Sequence, residues 1–208
     1  MCTPHRDRGT VLAVACTIPI TLFAQQGTIP ERVADSQGEP VVILVARDLE
    51  PMPLADLARG ADLIVYGKLV RQRSYLSEAK TDVYTDYVLK PERLIVDRGR
   101  PSTVKSPGPT PPLIVTVYGG KLVVDGTQVT FEDKSLINWN EDANLLIFLK
   151  RLKGETNKFE LYGGSAGLFQ VEAGQRVKSL LRHGEKDKEL GQLTLDQVLE
   201  RAREHTKR

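Results

Sequence analysis

The chain has 208 residues, 27% of them charged, 40% hydrophobic, and a formal net charge of +2. That length suits one substantial domain with appendages and suffices for a sizeable buried core. The near-neutral balance argues against a dedicated nucleic-acid binder, which concentrates basic residues to neutralise phosphates.

Residues 1–24 have the three parts of an export signal. Arg6 and Arg8 form the basic end, an apolar run follows from Val11 to Phe23, and Leu22-Phe23-Ala24 ahead of Gln25 is a cleavage site. Both cysteines, Cys2 and Cys16, fall in this segment, so cleavage after Ala24 leaves a cysteine-free chain stabilised by its core alone. Ala13-Val14-Ala15-Cys16 also permits a lipoprotein reading, weakened by the short apolar run before the cysteine. No later apolar stretch reaches the roughly 18 to 20 residues that span a bilayer. The expectation is a secreted or periplasmic bacterial protein.

Residues 25–40 are polar and turn-rich, without hydrophobic period, and read as a disordered leader. Val41 to Val45 is a short strand suited to a sheet edge. Leu54, Leu57, Ala58 and Ala61 recur at helical spacing, with Gly60 as a stop. A long strand from about Asp62 to Tyr75 places Leu63, Val65 and Leu69 on one face and Ile64, Tyr66 and Lys68 on the other. Gly67 within it marks a candidate bend. A second long strand, Val83 to Asp97, contains Pro91, which donates no ladder hydrogen bond and predicts a bulge, with Leu94 and Val96 together on the far side.

Residues 98–112 are proline-rich and read as a surface loop. Strands follow at Leu113 to Tyr118, Leu122 to Val124 and Gln128 to Phe131, the last two joined by Asp125-Gly126, a hairpin pair tolerant of positive φ. Asn144 to Leu152, Phe159 to Tyr162 and Leu168 to Val171 complete the strands. The closing helix is capped by Thr194 with Gln197, and Leu195, Val198, Leu199 and Ala202 form its apolar stripe.

This order predicts a mainly β fold: a signal peptide at 1–24, a leader at 25–40, an OB-like Greek-key barrel over 41–191 and a C-terminal amphipathic helix over 192–208 that covers a barrel end. Ala61 to Lys68, Tyr84 to Leu89 and Leu94 to Gly99 resemble the opening strands of exported bacterial proteins of unassigned function with such a barrel. More distantly they resemble the netrin-like module of tissue inhibitors of metalloproteinases. Those inhibitors reach a protease zinc through an N-terminal cysteine, which the mature chain lacks, so the resemblance implies the fold and not the inhibition.

Gly163-Gly164-Ser165-Ala166-Gly167 matches the Gly-x-Ser-x-Gly pattern of a hydrolase elbow, but a strand follows where an elbow needs a helix. A base would have to come from His183 or His205, with Asp187 or Asp196 behind it. Asn138, Asn140 and Asp142 alternate like calcium-loop ligands, yet Ala143 and Leu149 replace the required glycine and glutamate. Two mature histidines and no cysteine leave no zinc set. No cofactor, metal or catalytic residue is therefore expected. Tyr66, Lys68 and Tyr84, joined by Trp139, are the candidate ligand-binding residues of an exposed sheet face. The function expected is a non-catalytic binding module for an unidentified protein or envelope component. The alternatives are a small hydrolase using Ser165 and an oligonucleotide- or oligosaccharide-binding barrel.

Overall fold

The computed structural model describes residues 27–45, 52–98, 111–133, 143–180 and 192–206. The expected export segment, most of the proline-rich loop, Trp139 and the Asn138, Asn140 and Asp142 set lie outside these residues.

The first described element is a helix, α1 (Ile29–Asp35), where a disordered leader was expected. Thr28 and Glu31 form a reciprocal capping box around Pro30, and Ile29 and Val33 are buried on one side. Those two side chains tie the helix to the fold despite its polar composition. Strand β1 (Val41–Val45) and helix α2 (Leu54–Gly60) follow, then the long strands β2 (Leu63–Leu76) and β3 (Val83–Asp97). After them come β4 (Leu113–Tyr118), β5 (Gly120–Val124), β6 (Thr127–Asp133), β7 (Asn144–Arg151) and β8 (Lys158–Leu161). A 3-10 turn over Gly164–Gly167, β9 (Leu168–Val171), β10 (Val177–Ser179) and helix α3 (Leu195–Thr206) complete the chain. The molecule is mainly β with a C-terminal helix. Among the described residues no helix is long and apolar enough to cross a membrane.

The larger sheet pairs β10, β9, β7, β2, β3, β4 and β8 in that order, and β8 also pairs back to β7. Every contact in it is antiparallel except β4 with β8. Strand β1, expected within the barrel, instead pairs in parallel with β6, which pairs with β5, to make a separate three-stranded sheet. The β5–β6 hairpin turns at Asp125 and Gly126 with φ of 48° and 82°, the left-handed pair that the turn chemistry requires.

Three apolar clusters fill the fold. One lies inside the β7–β2–β3–β4–β8 circuit, with Leu63, Val65, Leu69, Leu89, Val115, Leu145, Ile147 and Phe159. The second lies on the other side of β2 and β7, where Ile64, Tyr66, Leu146 and Phe148 meet Phe169, α2 and α3. Helix α3 therefore covers a sheet face instead of a barrel end. It is anchored by Leu195, Val198, Leu199 and Ala202 and by an Arg93–Asp196 ion pair of 2.8 Å. A third, smaller cluster joins α1 to the three-stranded sheet through Ile29, Val33, Val129 and Phe131.

Because both faces of β2 are covered, Leu63 to Gly67 are buried without a break. Its ladder with β3 is irregular at three places, one of them between Tyr66 and Gly67, where β3 skips Glu92 beside Pro91. A second irregularity skips Ile95, so Leu94 packs inside the circuit while Val96 packs with α2 and α3. The expectation that Leu94 and Val96 share a face fails for that reason: an extra residue in the strand inverts the alternation.

Candidate functional site

On β3 and β4 the inward residues are Leu89, Val115 and Val117, and on β8 Phe159. The alternate positions carry Tyr84, Asp86, Thr116, Tyr118, Lys158 and Glu160, brought side by side by the β3–β4 and β4–β8 registers. Tyr75 of β2 faces Tyr84 directly across the ladder. Tyr75, Tyr84, Thr116, Tyr118, Lys158 and Glu160 line a cavity of about 650 Å³, which Glu78 of the β2–β3 turn, Leu152, Leu161, Gly164 and Ser165 help to complete. Its size falls within the range of about 300 to 1,000 Å³ typical of small-molecule sites.

The tyrosines form an ordered row. Tyr75 and Tyr84 stack with centroids 6.2 Å apart and planes 29° off parallel, and Tyr118 meets Tyr84 edge-on at 5.6 Å. Tyr118 is held from behind by Phe131 at 5.0 Å, and its hydroxyl donates to Asp82 Oδ1 at 2.7 Å. The row is therefore braced at both strand ends before any ligand arrives.

A hydrogen-bonded knot fixes the polar side. Lys158 Nζ lies 3.0 Å from Asp86 Oδ2 and donates to the Tyr75 hydroxyl at 3.3 Å, while Tyr75 and Thr116 donate to Asp86 Oδ1 at 3.2 and 2.7 Å. Partial burial of Lys158 would lower its affinity for protons, but the Asp86 and Tyr75 hydrogen bonds and the Asp86 charge outweigh that and hold it above the usual lysine value. Lys158 is thus charged and fully compensated at neutral pH. Ser165 also lines the cavity, 2% exposed, and its Oγ has no hydrogen-bond partner among the described residues. An unpaired buried hydroxyl is costly, which makes it a natural anchor for an incoming polar atom.

Of the expected site residues that are described, Tyr84 alone lines this cavity. Tyr66 is 7% exposed and packs in the α2–α3 cluster, facing Arg93 and Leu146 across its two ladders. Burial and the nearby Glu92 charge raise its hydroxyl above the ordinary tyrosine value, a packing role in place of the expected ligand face. Lys68, opposite Lys90 and Asn144, lies in the middle of the β2–β3 ladder, away from the Tyr75–Tyr84 pair. These three residues do not share a site, and Trp139 lies outside the described residues.

Ser165 lies in a 3-10 turn between β8 and β9, opened by Gly163 in the left-handed region with φ of 71°, so the strand-to-helix context of a nucleophile elbow is missing. His205 is in the last turn of α3, and His183 and Asp187 lie outside the described residues. Sequence reasoning missed Tyr75, Tyr118, Lys158 and Glu160. No family model matches the chain, and the searches of curated proteins and of solved structures return no similar protein.

Proposed function

We propose that the chain is an exported, non-catalytic binding module built on an OB-like Greek-key barrel, with the tyrosine-lined cavity beside β8 as its ligand site. The observation that carries this reading is the convergence, in one cavity of about 650 Å³, of three braced tyrosines with a buried Ser165 hydroxyl that has no partner among the described residues. Pockets of this kind, aromatic with a few convergent polar groups, are the usual form of a ligand site.

The barrel reading draws on the pairing circuit β7–β2–β3–β4–β8 and back to β7, in which a single parallel contact, β4 with β8, interrupts antiparallel neighbours. Irregular pairing in β2 and β3, with Gly67 at a close approach, is the device by which a sheet coils on itself. Export rests on the basic, apolar and small-residue pattern of residues 1–24. Against hydrolysis stands the local fold: Ser165 sits in a 3-10 turn between two strands and its hydroxyl meets no base among the described residues, whereas catalysis requires one within hydrogen-bond reach. Against a nucleic-acid ligand stands the cavity's own charge, since Lys158, the one lysine among its described lining residues, is already paired with Asp86.

The test is capture of a native envelope component by the immobilised mature chain. Tyr75→Ala with Tyr84→Ala should reduce the captured amount at least roughly tenfold, since removed aromatic anchors commonly cost about 2 kcal/mol or more each. Val70→Ala, at a position 54% exposed that does not line the cavity, should leave capture unchanged. Equal capture by all three proteins would reject the cavity as the ligand site.

A further inference from the structure

We propose that the tyrosine-lined cavity takes an organic cation: the ammonium or guanidinium group of a flexible chain. This rests on the reading of that cavity as the ligand site and adds the class of ligand.

Two features favour a cation and a third is compatible with one. The first is uncompensated charge. Glu78 and Glu160 line the cavity from exposed positions, and neither has a hydrogen-bond or ion-pair partner among the described residues. Lys158 does not offset them, because Asp86 already neutralises it at 3.0 Å. An anionic ligand would meet net repulsion and a cationic one attraction.

The second feature is the aromatic wall. Tyrosine rings attract cations through the negative faces of their π-systems. Lys158 Nζ already uses this attraction, 5.4 Å from the Tyr75 ring centroid, and Tyr84 continues the wall beside Tyr75.

The third, Ser165, is compatible with a cation without selecting one: its buried Oγ has no partner among the described residues and, being both donor and acceptor, can accept from an N–H group. An ammonium or guanidinium offers several donors at once, enough to serve Ser165 and a carboxylate together. Exposed carboxylates, a row of tyrosines and a buried hydroxyl thus line one site for a cationic head on an apolar stem.

A basic side chain of a peptide and a free polyamine share this chemistry. Nuclear magnetic resonance titration of the isotope-labelled mature chain with trilysine, with spermidine and with the same peptide fully acetylated separates them. Trilysine or spermidine should give saturable shifts at the amides of Tyr84, Glu160 and Ser165, weakening as salt is raised. The stronger of the two identifies a peptide or a polyamine source. Acetylated trilysine should shift none of these amides. Glu78→Gln with Glu160→Gln should weaken binding about tenfold, the effect of two partly exposed ion pairs. Both positions are exposed, so folding should be unaffected.

Equal shifts from the acetylated peptide, no shifts from either cation, or undiminished affinity in the double Gln variant would each overturn the cation assignment. If envelope capture nevertheless remains sensitive to Tyr75→Ala with Tyr84→Ala, only the ligand class falls. If capture is insensitive too, the site reading falls with it.

Discussion

Phe148→Ala is expected to lower the unfolding free energy by about 4 kcal/mol, within the range of about 3 to 5 for deleting a fully enclosed aromatic ring. Phe148 is completely buried on β7, edge-on to Phe169 at 5.8 Å, in the cluster that fastens α2 and α3 to the sheet. The gap cannot close readily, because its neighbours in the cluster, Ile64 and Leu146 among them, are fully buried on hydrogen-bonded strands in a close-packed interior. Chemical denaturation should show the loss as a lower midpoint at unchanged slope. A change under about 1 kcal/mol would mean that the helices do not cover this face.

Gly67→Ala is expected to be destabilising by about 2 to 3 kcal/mol, the upper part of the range for overpacking. The sign is the informative part. Replacing a strand glycine by alanine ordinarily gains about 0.4 to 1 kcal/mol by restricting the unfolded chain. Here a Cβ would collide with the Lys90 carbonyl oxygen and sit 3.1 Å from Pro91 Cα, and both are backbone atoms that no rotamer change can move. Easing the contact would shift β3 away from β2 at the point where their pairing already skips a residue. A neutral or stabilising Gly67→Ala in the same denaturation experiment would show that the two strands are not so close.

The elements governed by local chemistry were legible in the sequence. Asp125-Gly126 dictates its turn through two positive φ values, and Thr194 with Gln197 starts α3, where the Thr194 N–H donates to Gln197 Oε1 at 2.9 Å. Thr28 and Glu31 carry the same signal for α1, with the Thr28 N–H donating to Glu31 Oε2 at 2.8 Å. Composition outweighed it in reading that segment as disordered, although Ile29 and Val33 stand four apart as a buried helical pair must.

The site was less legible, for a physical reason. Period-two alternation reports that a strand has two faces, but not which of them another element covers. Tyr66 follows the alternation expected of it, yet α2 and α3 lie on its side, so the face read as open is core. Tyr75, Tyr84, Tyr118 and Lys158 meet only through the β2–β3, β3–β4 and β4–β8 registers. The last is a parallel pairing between distant segments, and no local pattern announces such a contact. Nor does sequence mark Ser165 as unpartnered; it shows only a small residue in a glycine-rich turn.

Site-specific photocrosslinking in the native envelope tests the central claim most directly. A photoreactive phenylalanine analogue replaces Tyr84 in one chain and, in another, Val123, which is 68% exposed on the three-stranded sheet and does not line the cavity. Binding at the tyrosine row predicts a discrete crosslinked product from position 84 and none from position 123. Products from position 123 alone, or the same products from both, would contradict it.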